Sequence, residues 1–210
     1  MADKLAKVLQ DKFGSAIIDA HALHGDDTVV IEPSRWLEVA RFLRDDPACR
    51  MDMLVDLCGV DYLDRDPRFE VVAHLHSLTH GHRLRIKARV GNADGEGAAI
   101  ATLTGVWPGA NWFERETWDL MGIRFIGHPD LRRILLYEEF EGHPLRKDYA
   151  ANHTQPLIPY REGPSVMGKL PPFGQDEGMS FGRHAYELEN RTEVPSPDAS
   201  VVSPSATEPD

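Results

Sequence analysis

The sequence predicts an α+β domain of two layers, with helices packed on one mixed sheet, followed by an extended C-terminal arm. Three observations predict it. Apolar residues recur at helical spacing in two stretches and capping signals indicate a third helix, segments that favour strands lie between these helices, and Pro, Gly and polar residues dominate from about residue 150 onward. The elements follow the order α-β-β-α-β-β-β-α. We expect the α+β domain over residues 1–122, the arm over 123–186 and a disordered acidic tail over 187–210.

Amphipathic stretches predict the first two helices. Helical spacing relates the apolar residues Leu5, Val8, Leu9 and Phe13, and Gly14 can end the helix. The second helix opens at Pro33, which fits a first helical turn, and ends near Pro47.

The third helix should run from Asn111 to about Met121. Asn111 and Glu114 have the spacing of a capping box, although Ser or Thr is the usual first residue. Gly122 stands where a left-handed residue would end the helix.

Extended segments fill the sequence between the helices. The two segments that begin at Phe69 and His82 alternate in polarity and predict a hairpin. In the first arm the apolar residues suit the core, which turns His74 and His76 outward. In chain order the expected strands are 15–23, 28–32, 53–60, 69–76 and 82–90, with a further short one at 99–104.

The composition excludes several classes of protein. A net charge of -11 argues against a nucleic-acid-binding protein, because neutralising phosphates needs clustered Lys and Arg. Cys49 and Cys58 are too few for a zinc site or an iron–sulfur cluster, and we expect reduced thiols. No run approaches the roughly 20 apolar residues of a membrane span. Any work at a membrane would therefore depend on a partner.

The hairpin offers the one pattern that suggests metal chemistry. His74 and His76 share a strand face, and alternating His pairs can bind zinc, which would suit a metal-dependent hydrolase. However, Arg83 and Arg85 should lie across the hairpin, and no acid is placed as a third ligand. The second arm carries an outward row of cations: Arg83, Arg85, Lys87 and Arg89. This row is either a solvated face paired with acids such as Glu70 or a surface for an acidic partner.

The stretch 111–149 is too densely charged, aromatic and rich in Gly and Pro to result from helix or strand propensity alone. It contains no nucleophile with a base, no Cys cluster and no phosphate-binding loop. Apolar residues alternate with Arg, a composition that suits a protein–protein interface. The candidate partner-interface residues are Glu114, Arg115, Glu116, Asp119, His128, Arg132, Arg133, Arg146, Lys147 and Asp148.

Two interpretations of these residues stay open. They either hold the segment after the helix in place or contact a partner. Arg115 and Asp119 stand four positions apart and can pair on the helix surface. For the helix acids neither interpretation is preferred. For Arg132, Arg133, Arg146 and Lys147 we favour partner contact, because guanidinium groups can clasp a partner's carboxylates.

Three motifs in this stretch carry a family resemblance. ERETWDLMGI, HPDLRRIL and GHPLRKDY, in this order, resemble the signature of the 30 kDa subunit family (the C subunit) of bacterial NADH:quinone oxidoreductase, respiratory complex I. The similarity also covers the α+β domain from about Phe13 to Gly122, including VDLCGVDY. The chain is thereby identified as a member of that family.

The resemblance implies a non-catalytic subunit in the peripheral arm of a proton-translocating enzyme. Such a subunit scaffolds the quinone-site and iron–sulfur subunits while electrons pass from NADH to quinone. It binds no cofactor or metal itself, since FMN and the iron–sulfur clusters lie in neighbouring subunits. Its partners are chiefly the quinone-site subunit, designated D, and then the iron–sulfur subunits, designated B and I. It is peripheral, on the cytoplasmic side of the bacterial inner membrane. The alternative is the same module in a related membrane-bound hydrogenase or ferredoxin-dependent complex.

Overall fold

The structure is a computed structural model that describes residues 2–158. The predicted tail at 187–210 and residues 159–186 of the predicted arm lie outside the described residues. The described part has the predicted α+β class. Its helices are α1 (Ala2–Phe13), α2 (Trp36–Asp45) and α3 (Ala110–Met121), and its strands are β1 (Ile17–Leu23), β2 (Asp26–Ile31), β3 (Met53–Asp61), β4 (Phe69–His76), β5 (Arg83–Val90), β6 (Ala99–Ala101) and β7 (Arg124–Ile126).

Five strands form the main sheet, in the order β1-β2-β5-β4-β3. Adjacent strands are antiparallel except β2 and β5, which are parallel, so the sheet is mixed as predicted. The β1–β2 hairpin therefore joins the β3–β4–β5 meander through β5. A separate parallel pair, β6 and β7, flanks α3 in sequence.

The core lies between one face of this sheet and the helices. Alternating residues of β4 are fully buried or nearly so, as predicted: Phe69, Val71, Ala73 and Leu75. Trp36 and Leu43 of α2 and Leu9 of α1 are also fully buried in the same cluster. Burial of such side chains contributes roughly 1.5–3 kcal/mol each, which makes this layer the main source of stability.

The opposite sheet face carries the predicted row of cations, paired with acids. Lys87 Nζ lies 2.8 Å and Arg89 Nε 3.7 Å from the carboxylate of Glu70, which is itself buried. Arg85 lies 3.5 Å from Asp26 on β2. These contacts support the interpretation of a sheet face paired with cross-strand acids.

Helix α3 begins differently from the prediction. Its N-cap is Gly109, which makes no side-chain cap, and Asn111 lies inside the helix. The capping box was therefore wrong, because Glu114 bonds to another segment. The predicted end was right: Gly122 has a φ of +78° and its N–H donates to the carbonyl of Trp118.

The short pair of strands also departs from the predicted order. Four strands lie between α2 and α3, and the fourth, β6, is shorter than the expected segment 99–104. Strand β7 was not predicted, because three residues are too short for a periodic signal. The pair is extended at both ends by Thr102 N–H to the Ile126 carbonyl, 3.0 Å, and Arg124 N–H to the Ala98 carbonyl, 2.9 Å.

Residues that follow α3 remain in contact with the domain. The compact unit that contains α3 extends to Ile158, beyond the expected boundary at residue 122. We call residues 123–149 the strap. The division of the chain into a domain and a partner-binding arm stays a prediction.

Candidate functional site

The candidate site is formed by α3 and the strap. Helix α3 packs closely on β3 because Gly59 has no side chain. A Cβ at this position would lie 2.7 Å from Met121 Sδ and 3.1 Å from Thr117 Cγ2. Thr117 in turn donates to the carbonyl of Leu57. This packing fixes the helix whose carboxylates contact the strap.

Asp119 is fully buried and binds the start of the strap. Its Oδ2 accepts hydrogen bonds from three successive backbone N–H groups, those of Ile134 (3.0 Å), Leu135 (2.9 Å) and Leu136 (2.9 Å). Its Oδ1 accepts from Arg133 Nη1 at 2.6 Å. One side chain therefore fixes the path of four consecutive residues.

These donors also determine the charge of Asp119. Burial alone would raise the pKa of its carboxyl, but the hydrogen bonds from Leu136 and its neighbours and from Arg133 outweigh that effect. The pKa is therefore below its ordinary value of 3.8. Asp119 is an anion at neutral pH, and its charge-assisted hydrogen bonds are of the strong kind.

Arg133 extends the same network toward the end of the loop. Its Nη2 donates to the carbonyls of Phe140 (2.8 Å) and Gly142 (3.1 Å). Its guanidinium also lies over the rings of Trp118 and Phe140, 5.8 and 5.6 Å from their centres. The Asp119–Arg133 pair thus holds both ends of the loop between residues 134 and 142.

Arg115 does not form the expected pair with Asp119. Its guanidinium donates instead to the backbone carbonyls of Arg132 and Arg133, each at 3.1 Å. The i,i+4 pairing was wrong because the strap offers both residues better partners than they offer each other. Arg115 therefore supports the first interpretation, in which helix residues hold the following segment.

The second half of the strap returns to the C-terminal end of α3. Arg146 Nε donates to the carbonyl of Met121 at 2.7 Å, and the His143 ring contacts the carbonyl of Asp119 at 2.9 Å. A Cβ on Gly122 would lie 2.6 Å from both Arg146 Nη2 and His143 Cδ2. Glycine is therefore required there for close approach as well as for its positive φ.

A second clamp holds the end of the strap, and two of its residues, Asp61 and Arg68, were not predicted from the sequence. Arg68 and Asp61 are both buried and form a bidentate pair with two contacts of 2.7 Å. Arg68 Nη1 also donates to Asp148 at 2.8 Å, and Lys147 N–H donates to Asp61 at 2.8 Å. The hydrogen bonds from Arg68 lower the pKa of Asp61, and those to both acids raise the pKa of Arg68. The motif VDLCGVDY, which spans residues 55–62 and includes Asp61, was the signal available in the sequence.

Glu114 is buried beside the loop that precedes α3. It accepts hydrogen bonds from the N–H of Leu103 at 2.6 Å and from the Thr102 hydroxyl. Burial raises the pKa of Glu114 from its ordinary value of 4.5 to about 7, although both hydrogen bonds oppose this rise. Glu114 therefore titrates near neutral pH.

The remaining candidate residues lie nearer the surface. Glu116, Arg132 and Lys147 have exposed side chains, and Arg132 pairs with Asp130 at 2.9 Å. His128 contacts a backbone carbonyl of α3 and accepts from the N–H of Asp130 at 3.0 Å. Partner contact by this group stays a prediction. Arg133, Arg146 and Asp148 make the internal contacts given above.

Two further findings concern metal ions and membranes. Within residues 2–158 no group of three or more His, Cys, Asp or Glu side chains is arranged to hold a metal ion. Burial and the charge of Arg85, which lies opposite on β5, lower the pKa of His74. Across the same described residues, every helix is too short or too polar to cross a membrane.

Fold and site together define a class of protein: an α+β domain whose buried carboxylates fix the segment that follows its third helix. The family model for the respiratory-chain NADH dehydrogenase 30 kDa subunit matches residues 29–155. The chain belongs to this family, as the three motifs predicted.

Curated relatives agree with this assignment. The chain is 45% identical over 168 residues to the C 2 subunit of NADH-quinone oxidoreductase from Rhizobium etli (strain CIAT 652), covering 80% of this chain and 81% of that protein. It is 54% identical over 133 residues to the C subunit of the same enzyme from Roseiflexus sp. (strain RS-1), covering 63% and 75%. Neither a hydrogenase-type complex nor a hydrolase is favoured by these matches.

Two solved structures are similar to this one. A trypsin-resistant fragment (1–134) of Nqo5 is 33% identical, with a TM-score of 0.50, over 60% of this chain and 98% of the fragment. A chain from the membrane-bound sulfane sulfur reductase, an archaeal respiratory membrane complex, has a TM-score of 0.61 at 18% identity, over 71% and 86%. The second similarity shows the fold alone.

Proposed function

We propose that this chain is a non-catalytic scaffold subunit in the peripheral arm of proton-translocating NADH:quinone oxidoreductase. It holds the quinone-site subunit and the two neighbouring iron–sulfur subunits in position while electrons pass from NADH to quinone. FMN and the clusters belong to neighbouring subunits, and the chemistry takes place there. The chain is attached to the cytoplasmic side of the inner membrane through the complex.

One observation carries this proposal: the strap is fixed to the domain, yet it exposes large apolar side chains. Leu135 is 62% and Leu145 is 53% exposed, although neighbouring residues are hydrogen-bonded to buried groups of the domain. A single exposed leucine is common on protein surfaces, but these two lie on a segment whose backbone is already fixed by hydrogen bonds. Apolar groups presented on a pre-ordered backbone lose little entropy when a partner covers them.

The arginines have a different role in this proposal from the partner contact expected from the sequence. The guanidinium groups of Arg115, Arg133 and Arg146 bind backbone carbonyls of this chain. Their contribution to assembly is therefore to position the strap. The apolar side chains between them make the contacts with the partner, as anchors near the centre of an interface do.

The test uses the full-length chain with an affinity tag, produced in a bacterium that assembles the complex. We expect the wild type to recover an NADH-oxidising assembly that contains flavin and iron–sulfur clusters. Leu135→Asp should reduce this recovery by about tenfold or more, since a central interface contact contributes roughly 1.4 kcal/mol or more.

Leu78→Asp is the matched control. Leu78 is 67% exposed and lies between β4 and β5, away from the strap in sequence. It should recover as much of the assembly as the wild type. Recovery of the wild-type chain alone would contradict the scaffold role. An equal loss of recovery for Leu135→Asp and Leu78→Asp would mean that the strap does not contact the partner in preference to other exposed surfaces.

A further inference from the structure

The loop at residues 135–141 has an unusual outer surface. Leu135 and Tyr137 are exposed apolar side chains, and Glu138, Glu139 and Glu141 beside them are exposed carboxylates. We call these five residues the acidic loop surface. Its composition differs from that of the alternating Arg and apolar motifs on either side.

No cation of the described part neutralises these carboxylates. Across residues 2–158 neither an ion pair nor a side-chain hydrogen bond involves the carboxylates of Glu138, Glu139 or Glu141. Arg133 and Arg146 each lie five positions from the nearest of these carboxylates in sequence. Arg133 donates instead to Asp119 and to two carbonyls, and Arg146 donates to the carbonyl of Met121. Within residues 2–158, the negative charge of this surface is therefore not offset by an ion pair.

The loop is fixed at both ends. Asp119 holds the N–H groups at its start, and Arg133 holds the carbonyls of Phe140 and Gly142. Near its end, Glu141 N–H donates to Gln155 at 2.9 Å, and the Gln155 amide donates back to the Glu141 carbonyl at 3.0 Å. Three carboxylates are therefore presented on an ordered backbone.

This arrangement limits the partner that can cover Leu135 and Tyr137. A partner that packs on these side chains also removes water from the carboxylates beside them. An unpaired carboxylate taken out of water is strongly unfavourable, and a matched cation offsets this cost. The partner must therefore bring cations to the rim of its apolar contact.

We infer that the acidic loop surface docks into an apolar recess of a partner protein that is ringed by Lys or Arg. This inference rests on the proposed function and specifies the chemistry of one interface. It reverses the expectation that arginines of this chain clasp a partner's carboxylates. Three exposed carboxylates on this loop oppose docking on nucleic acid or on an anionic membrane.

Charge reversal of the full-length tagged chain tests the inference. Glu138→Lys/Glu139→Lys should lower recovery of the NADH-oxidising assembly at least tenfold, and Glu138→Gln/Glu139→Gln should lower it by roughly threefold. The control Glu32→Lys/Asp64→Lys makes the same change in charge at two exposed acids elsewhere and should recover as much as the wild type. Raising the salt concentration should weaken wild-type recovery more than that of the Gln variant.

The outcomes separate the inference from the function on which it rests. If the wild type recovers the assembly and the Lys variant does so equally well or better, the inference is overturned and the scaffold role stands. If Arg132→Glu/Lys147→Glu causes the larger loss, the partner surface is acidic and the inference is also overturned. If the wild type recovers no NADH-oxidising assembly, both fail.

Discussion

Glu114 and Asp119 lie five positions apart on α3, and both are fully buried, yet they differ in charge state. Asp119 accepts from an arginine and three backbone N–H groups, and its pKa is lowered. Glu114 accepts from one backbone N–H and one hydroxyl, and its pKa is raised to about 7. Burial alone therefore does not fix the charge of a carboxyl; the number and charge of its donors decide it.

The two carboxyls also connect different parts of the chain. Asp119 holds the strap that follows the helix, and Glu114 holds residues 102 and 103 that precede it. A charged anchor is strong but cannot be removed without leaving an unpaired arginine. A carboxyl whose pKa is raised, such as Glu114, is a weaker anchor but tolerates a neutral substitute.

The largest effect should follow from Asp119→Ala. It leaves Arg133 without its counterion and three backbone N–H groups without an acceptor. Loss of one member of a buried pair costs about 3–5 kcal/mol, a large part of the roughly 5–15 kcal/mol that stabilises a domain. The measurement is urea unfolding of the full chain, with hydrogen exchange at Ile134 to Leu136.

Asp119→Asn is the graded control for this change. The asparagine side chain keeps one oxygen that can accept hydrogen bonds, but it carries no charge. The loss of stability should therefore be intermediate. In both variants the amides of residues 134–136 should lose protection from hydrogen exchange, while the amides of the central sheet keep theirs. Unchanged protection at residues 134–136 would contradict the anchoring role of Asp119.

A smaller, pH-dependent effect should follow from Glu114→Gln. Because the folded pKa of Glu114 is raised, the native state binds its proton more tightly than the unfolded chain does. The contribution of Glu114 is therefore fully present below pH 4.5 and is lost as pH rises toward about 7. Relative to the wild type, the Gln variant should gain roughly 3 kcal/mol between these limits, at about 1.4 kcal/mol per pKa unit.

The sign of this slope separates the two carboxyls. The lowered pKa of Asp119 stabilises the fold above its ordinary value of 3.8, and this stability is lost as pH falls through the folded pKa. The difference in unfolding free energy between wild type and Glu114→Gln, measured from pH 4 to 8, isolates Glu114 from the other acids. A difference that does not change with pH would contradict its raised pKa.

Local sequence patterns predicted helix α3 but not the residues to which its buried carboxyls are hydrogen-bonded. The end of α3 at Met121 and the left-handed conformation of Gly122 are local properties, and both were predicted correctly. The acceptors and donors are not local. Asp119 binds amides 15 to 17 positions further along the chain, and Arg68 binds Asp148 across 80 positions.

The candidate site was predicted only in part for the same reason, because its contacts join residues that are distant in sequence. The sequence singled out Asp119, Arg133 and Arg146 because their motifs are dense, and the structure brings all three together around the strap. Whether an arginine points toward its own backbone or toward a partner depends on packing that no motif spacing encodes. The partner contacts assigned to exposed Arg132 and Lys147 stay predictions.

Glu116 completes the comparison as an exposed carboxylate on the same helix, between the two buried ones. Among the described residues its side chain makes no ion pair or hydrogen bond. Glu116→Ala should therefore change the free energy of unfolding by less than about 0.5 kcal/mol, the usual range for surface changes. Urea unfolding beside Asp119→Ala measures this directly. A loss of unfolding free energy above about 2 kcal/mol would contradict this explanation. It would mean that the position of a carboxyl on α3 matters more for stability than the hydrogen bonds that the carboxyl accepts.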